Sequence, residues 1–337
     1  MKHLLVFVLL VVIILLSADS PLFSQDIEHD TETKEAITQE AAAKRHDTRK
    51  YGFVIAPFFG VVHGQSIELV YPTKTKGEYL SELLWDMKPV FYLGLNVDYR
   101  RKNIMDRLGV FVSASVKIGI PGDTGIMEDR DWQSTENNAL TNFSSHTNKT
   151  NGFYCADVLV GMSVPLKYLY ITPFLSGSWM HFSFEGRDGY RDYENFEPKV
   201  GVFSGKVIEY KQNWFIISPG FTIGTDILSP FSIDLSFQIT PLTFCNAVDQ
   251  HLVTGVTYYD YVNFGLFLEP RGSVSLKTNM FDFTFEFAYR CVISSQGETY
   301  YQNKNSEHAF LSPNDPGAGF SLFDVRFLAR IRLYGKK

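Results

Sequence analysis

Phe281-Asp282-Phe283-Thr284-Phe285-Glu286-Phe287-Ala288-Tyr289-Arg290-Cys291 carries an apolar or aromatic side chain at every odd position and mostly polar groups at the even ones. A two-residue period belongs to an extended strand, whose successive side chains point to opposite faces. Phe231 to Thr240 repeats it, with Phe231, Ile233, Leu235, Phe237 and Ile239 on one side and Ser232, Asp234, Ser236, Gln238 and Thr240 on the other. Near the C-terminus Val325, Phe327, Ala329, Ile331 and Leu333 oppose Arg326, Arg330 and Arg332, which puts three cations on the inward face. Apolar residues outside and charge inside is the pattern of a transmembrane β-barrel. A soluble β-sandwich also alternates, but these runs outlast the roughly 5–6 residues usual in its strands. The expected fold class is therefore all-β, a transmembrane antiparallel barrel of about ten strands that extends above the membrane.

The rest of the 337-residue chain agrees: at 45% hydrophobic and 20% charged it is neither disordered nor collagen-like. Its 29 Phe and 18 Tyr suit aromatic girdles better than a soluble core. A formal charge of −6 and a pI near 5.8 argue against a nucleic-acid partner. Met1-Lys2-His3, the apolar run Leu4 to Leu16 and the small residues after it read as a secretory signal over 1–24, cut after Ser24 or Ser20. A polar leader follows over 25–49, and 50–337 is the barrel, with strands expected near 50–71, 81–99, 108–120, 150–166, 169–187, 206–226, 230–246, 257–277, 280–298 and 318–334. Long links, such as 122–149 and 188–205, fall on the extracellular side. Pro173 and Pro219 inside these strands mark bulges or rims. Cys155, Cys245 and Cys291 match no metal spacing and cannot all pair, so they read as small wall residues.

Two long-side segments carry chemistry. In Met127-Glu128-Asp129-Arg130-Asp131-Trp132, Asp129 and Asp131 project the same way on a strand. In Asp249-Gln250-His251 the same spacing sets a carboxylate beside an imidazole. Across a barrel mouth the two motifs would hold a water, with His251 as proton acceptor and the carboxylates stabilising its positive charge. Taken singly, each is a common solvated turn. Two Asp and one His are also plausible metal ligands, but no fixed ligand spacing supports a metal, and no nucleophile elbow is present. No cofactor is called for.

These residues resemble the omptin family of outer-membrane proteases. Asp129-Arg130-Asp131-Trp132 and Asp249-Gln250-His251 match its Asp-x-Asp-Trp and Asp-x-His motifs, and Ile67-Glu68-Leu69-Val70-Tyr71, Val207-Ile208-Glu209-Tyr210-Lys211-Gln212 and Gly317-Ala318-Gly319-Phe320 follow in order. The resemblance spans about Tyr51 to Tyr334. It implies a ten-stranded barrel in the bacterial outer membrane whose extracellular groove hydrolyses peptide bonds. His251 would be the base, Asp249 its orienting partner, Asp129 the second holder of the attacking water and Asp131 an electrostatic support. Glu68 matches the acid of the pocket for the basic residue before the cleaved bond.

Departures from the family pattern fall in the substrate pockets. A second acid of that pocket is replaced by Ala247, and the acid for the residue after the bond falls near Asn142. Loss of those charges weakens attraction for paired basic residues. The family's lipopolysaccharide-binding residues correspond to Trp179-Met180-His181-Phe182 and are absent, and Gly335-Lys336-Lys337 follow the aromatic Tyr334 that would end the chain. The partners expected are a peptide or protein substrate and outer-membrane lipid, with the protein a monomer. The competing reading is a non-enzymatic barrel, an adhesin or structural protein on the same scaffold. A passive pore fits less well, because a small barrel is filled by its own side chains.

Overall fold

The computed structural model describes residues 51–72, 80–101, 108–133, 139–278 and 281–334; the expected signal over 1–24, the leader over 25–49 and the residues after Tyr334 lie outside the described residues. Within the described residues the chain is a single antiparallel sheet. Its strands are β1 (Tyr51–Pro72), β2 (Ser81–Arg101), β3 (Gly109–Gly119), β4 (Gly122–Asp131), β5 (Asn142–Pro165), β6 (Tyr170–Tyr193), β7 (Val200–Val202), β8 (Lys206–Thr225), β9 (Phe231–Thr240), β10 (Thr243–His251), β11 (Val256–Asn263), β12 (Phe267–Lys277), β13 (Phe281–Asn303), β14 (Phe310–Leu311) and β15 (Asn314–Tyr334). Neighbours run β8-β9-β12-β13-β15-β1-β2-β3-β5-β6, and β6 pairs back onto β8, so the sheet closes. In the upper half β4 continues the wall of β3, β10 that of β9 and β11 that of β12, which gives ten walls.

Walls of 20 to 24 residues are about 70 Å long at roughly 3.3 Å per residue, and stand about 55 Å tall when tilted near 40°. The apolar band of an outer-membrane barrel is about 25 Å high. Close to half of the cylinder therefore stands clear of the lipid.

The alternation in the sequence becomes inside and outside. Phe283, Phe285 and Phe287 point outward at 40%, 50% and 44% exposure, while Asp282, Thr284, Glu286 and Arg290 between and beyond them are buried. Inward charges meet opposite partners: Arg326 with Glu286 at 2.6 Å, Arg290 with Glu269 at 2.5 Å and Asp157 at 3.2 Å, and Arg332 with Asp282 at 2.5 Å. A charge removed from water is tolerated when it is paired in this way. Above these pairs an aromatic layer crosses the lumen. Trp85 from β2 is stacked between Phe184 of β6 at 5.5 Å and Tyr210 of β8 at 5.6 Å. Phe182 stacks on Phe153 at 5.9 Å, and Phe320 meets the edges of Phe182 and Trp214 at 5.6 and 5.4 Å. Rings from five walls touch, so the lumen is filled there by side chains.

Prolines sit where the ladder has nothing to lose. Pro173 keeps its place against Phe221 on β8, but on the β5 side the pairing skips from Gly161↔Phe174 to Val164↔Ile171. Pro219 faces the break between β9 and β10, where pairing to β8 passes from Gly220↔Gln238 to Thr243↔Ile216. Pro173 coincides with no register shift and is a gap in one ladder, whereas across from Pro219 the four residues 239–242 oppose the three residues 217–219, so a one-residue bulge of the kind expected lies there. The missing N–H explains them: proline survives only where no partner needs its donor.

Two of the expected long links are strands instead. Residues 122–131 and 142–149 form the β4–β5 hairpin, and β6 runs to Tyr193. Above the lipid both faces of a wall can be polar, so Asn142-Phe143-Ser144-Ser145-His146 lacks the outward apolar row on which the strand reading depended. The β10–β11 connection, 252–255, is a short turn on the long-loop side.

Candidate active site

On β10 the odd residues face inward, so Ala247 and Asp249 are buried and His251 stands at the rim with 32% of its side chain exposed. Asp249 Oδ2 accepts a hydrogen bond from His251 Nε2 at 2.5 Å. That leaves Nδ1 of a neutral ring with the lone pair. The Tyr258 ring, across from Asp249 on β11, meets the imidazole edge-on at 5.5 Å and fixes its plane.

β4 lies nearly opposite. Three walls, β5, β6 and β8, separate it from β10 in one direction. Asp129 accepts from Ser81 Oγ at 3.5 Å, and Asp131 accepts from Asn142 Nδ2 at 3.3 Å and Gln133 Nε2 at 3.4 Å. Arg130 points away and is held by Glu82 at 3.3 Å and Glu128 at 2.5 Å. Beside Asp131 an open cavity of about 330 Å³ is lined by Val70, Leu80, Ser81, Gln133 and Asn314.

The two motifs act on each other electrostatically. Burial of the ring disfavours the imidazolium of His251, but Asp249, followed by Asp129 and Asp131 from the far wall, outweighs it and holds the imidazole at about 9. Asp129 is pushed up to about 7 by burial and by Asp131, against the pull of His251. Burial also raises Asp131, opposed by hydrogen bonds from Ser81 and Asn142 and by His251. A general base and a neighbouring carboxylate with pKa values displaced in this way are what proton transfer near neutral to alkaline pH requires.

The remaining expected positions fall around this cleft. Glu68, on β1, is 4% exposed and is pushed well above the carboxylate range by burial and then by Asp249, Asp260 and Asp129. Ala247 lies between Gln212 of β8 and Asp260 of β11. Asn142 serves Asp131 directly as a hydrogen-bond donor. Among the described residues no group of three His, Cys, Asp or Glu side chains is placed to hold a metal ion. Ser81, Tyr258 and Asp260 were not anticipated. Ser81 and Tyr258 gave no pattern to find, whereas Asp260 is an acid in the inward row Tyr258, Asp260, Val262, and an isolated acid in such a row is a readable signal.

A family model described as the Omptin family matches residues 49–326. The outer membrane protease OmpT from Escherichia coli superposes with a TM-score of 0.70 at 18% identity, over 86% of this chain and 99% of that one. The transport unit of the autotransporter AIDA-I from Escherichia coli gives a TM-score of 0.36 at 11% identity, over 90% and 97% of the two chains. No curated protein matches the chain significantly.

Proposed function

The chain belongs to the omptin family, and from that premise we propose that it is an endopeptidase that hydrolyses exposed peptide bonds with a water activated between His251 and Asp129. It resides in the bacterial outer membrane with the cleft facing outward, and in this reading residues 1–24 supply the export signal. The observation that carries the proposal is the mutual influence of the His251–Asp249 pair and the Asp129–Asp131 pair over the open top of the cylinder.

In the reaction, Asp249 accepts the Nε2–H bond and keeps the imidazole in the tautomer with a free Nδ1. Nδ1 takes a proton from the water as its oxygen bonds to the scissile carbonyl carbon, while Asp129 accepts a hydrogen bond from the O–H that the oxygen keeps and stabilises the imidazolium. Collapse of the tetrahedral intermediate breaks the C–N bond, the imidazolium returns its proton to the leaving nitrogen, and an acid and an amine result. Asp131 adds negative charge behind Asp129. Glu68 favours a basic residue before the bond, because an ammonium or guanidinium is the natural partner of a buried carboxylate.

The test is to refold the chain in detergent and offer it a peptide library alongside His251→Ala and Asp129→Ala. Cleavage by the parent and a loss of at least about a hundredfold in both variants is expected for a general base and its water holder. An inert parent would favour the adhesin or structural reading, and variants that cut as well as the parent would remove the mechanism.

A further inference from the structure

Below the imidazole three carboxylates converge, Asp249 paired with His251 and the other two with no cationic partner among the described residues. Glu68 on β1, Asp249 on β10 and Asp260 on β11 are 4%, 1% and 4% exposed. Glu68 Oε2 and Asp249 Oδ1 are buried with no hydrogen-bond partner. The charges that act most on Glu68 are all negative. Around them stand neutral groups already occupied with one another: Ser66 Oγ donates to Gln212 Oε1 at 2.7 Å, and Gln212 Nε2 donates to Tyr210 Oη at 2.9 Å. A buried anion costs several kcal/mol unless it is matched. Unsatisfied acceptors on two of the three side chains mark a place that a cation arriving from outside would complete. The groups are not gathered as metal ligands, so the cation that fits is an ammonium or guanidinium at the end of a flexible stem.

Asp260 is built into this pocket. It lies directly across the β10–β11 ladder from Ala247, and cross-strand partners on one face hold their Cβ atoms about 5 Å apart. Thr299 Oγ1 of β13 donates to Asp260 Oδ1 and holds the carboxylate from behind. The methyl of Ala247 leaves in front of Asp260 the room that a longer side chain would take.

We infer that Asp260 is the second carboxylate, after Glu68, of a pocket for the cationic side chain of the substrate residue before the cleaved bond. It restores from the neighbouring strand the charge that position 247 lacks. The inference rests on the protease reading above and deepens it. It also revises the expectation that attraction for basic residues is weakened on this side of the bond.

The experiment compares two peptides identical except at the residue before the cut, lysine in one and Nε-acetyl-lysine in the other. The parent should favour lysine in kcat/KM, and Asp260→Asn should lower that ratio by about tenfold or more, as expected when one of two buried partners of a cation is lost. In Asp260→Ala combined with Ala247→Asp, the ratio should return to within about threefold of the parent, since the charge is restored across the same pair of strands. A ratio unmoved by Asp260→Asn overturns the inference, and so does a double variant that folds without regaining preference; the double variant decides if Asp260→Asn fails to fold. A parent indifferent to acetylation also overturns it, yet leaves the protease reading standing as long as His251→Ala abolishes cleavage. Cleavage that survives in His251→Ala overturns the mechanism itself.

Discussion

Substituting Asp249→Asn should move the acid limb of the pH–rate profile, because Asp249 is the largest of the influences that raise His251. The imidazole stands at about 9 against an ordinary 6.5, which corresponds to ~3 kcal/mol in favour of the imidazolium. With 32% of its side chain open to water, solvent screening brings this nearer ~2 kcal/mol. A base must be unprotonated, so a raised pKa displaces activity toward alkaline pH: kcat/KM of the parent should climb with pH and level off only above about 9. In Asp249→Asn the burial of the ring is opposed only by Asp129 and Asp131, and the limb should retreat by about 1.5 to 2 pH units while the plateau falls, since the amide holds the ring less firmly. The assay is the pH dependence of kcat/KM and of kcat on a quenched fluorescent peptide. The limb in kcat should lie below that in kcat/KM, because a bound cation repels a proton from His251. A limb at ordinary imidazole values in the parent, or one within half a unit of the parent's in Asp249→Asn, would refute the assignment of His251 as a base held up by Asp249.

Three further outcomes are expected. Asp260→Asn should raise the thermal midpoint at pH 8, with the advantage fading as pH falls from about 7 toward 3.8. The folded parent holds Asp260 at about 7, chiefly by burial, so the cost of its charge is present above that value and vanishes once it is protonated in both states; an advantage that grew in acid would contradict this. Trp85→Ala, which empties the place between Phe184 and Tyr210, should cost about 3–5 kcal/mol in equilibrium denaturation, and a loss under 1 kcal/mol would mean the aromatic layer is not packed as described. Phe287→Arg, on the outward face, should cost about 2–4 kcal/mol in lipid vesicles, and a neutral result would take that wall out of the membrane.

The lower half of the cylinder was legible in the sequence and the upper half only in part, for a physical reason. In contact with lipid, strict alternation is enforced, so Phe281 to Cys291 announces its strand, its outward face and its buried charges in one reading. Above the lipid the solvent accepts either kind of residue. Asn142 to Lys149 therefore hides a strand that exists because β4 and β6 pair with it on both sides. The site shows the same division. Asp129, Asp131, Asp249 and His251 declare themselves by i, i+2 spacing, which places each pair on one face. Asp260 can be read from the sequence as an inward acid, but its place opposite Ala247 is set by strand register, and register across two chain segments is not written in either segment alone.

That distinction bears on how charge is kept in the cleft. Glu68, Asp129, Asp249 and Asp260 come from four walls, β1, β4, β10 and β11, and the three Asp carboxylates each oppose the ionisation of Glu68. An open sheet could relieve such repulsion by splaying. Here β6 and β8 close the ring beneath, β10 and β11 pair above, and stacked rings fill the lumen between the site and the membrane. Among the described residues relief comes from His251, which can become positive, and in the proposed reading also from the basic side chain of a substrate. In the proposed reading a single arrangement thus raises the base toward alkaline pH, makes a basic side chain the favoured guest, and lets an arriving guest free the base by lowering its pKa. On that reading recognition and activation are coupled through the same anionic cluster, so a change that neutralises any of these carboxylates should alter the pH profile and the substrate preference together.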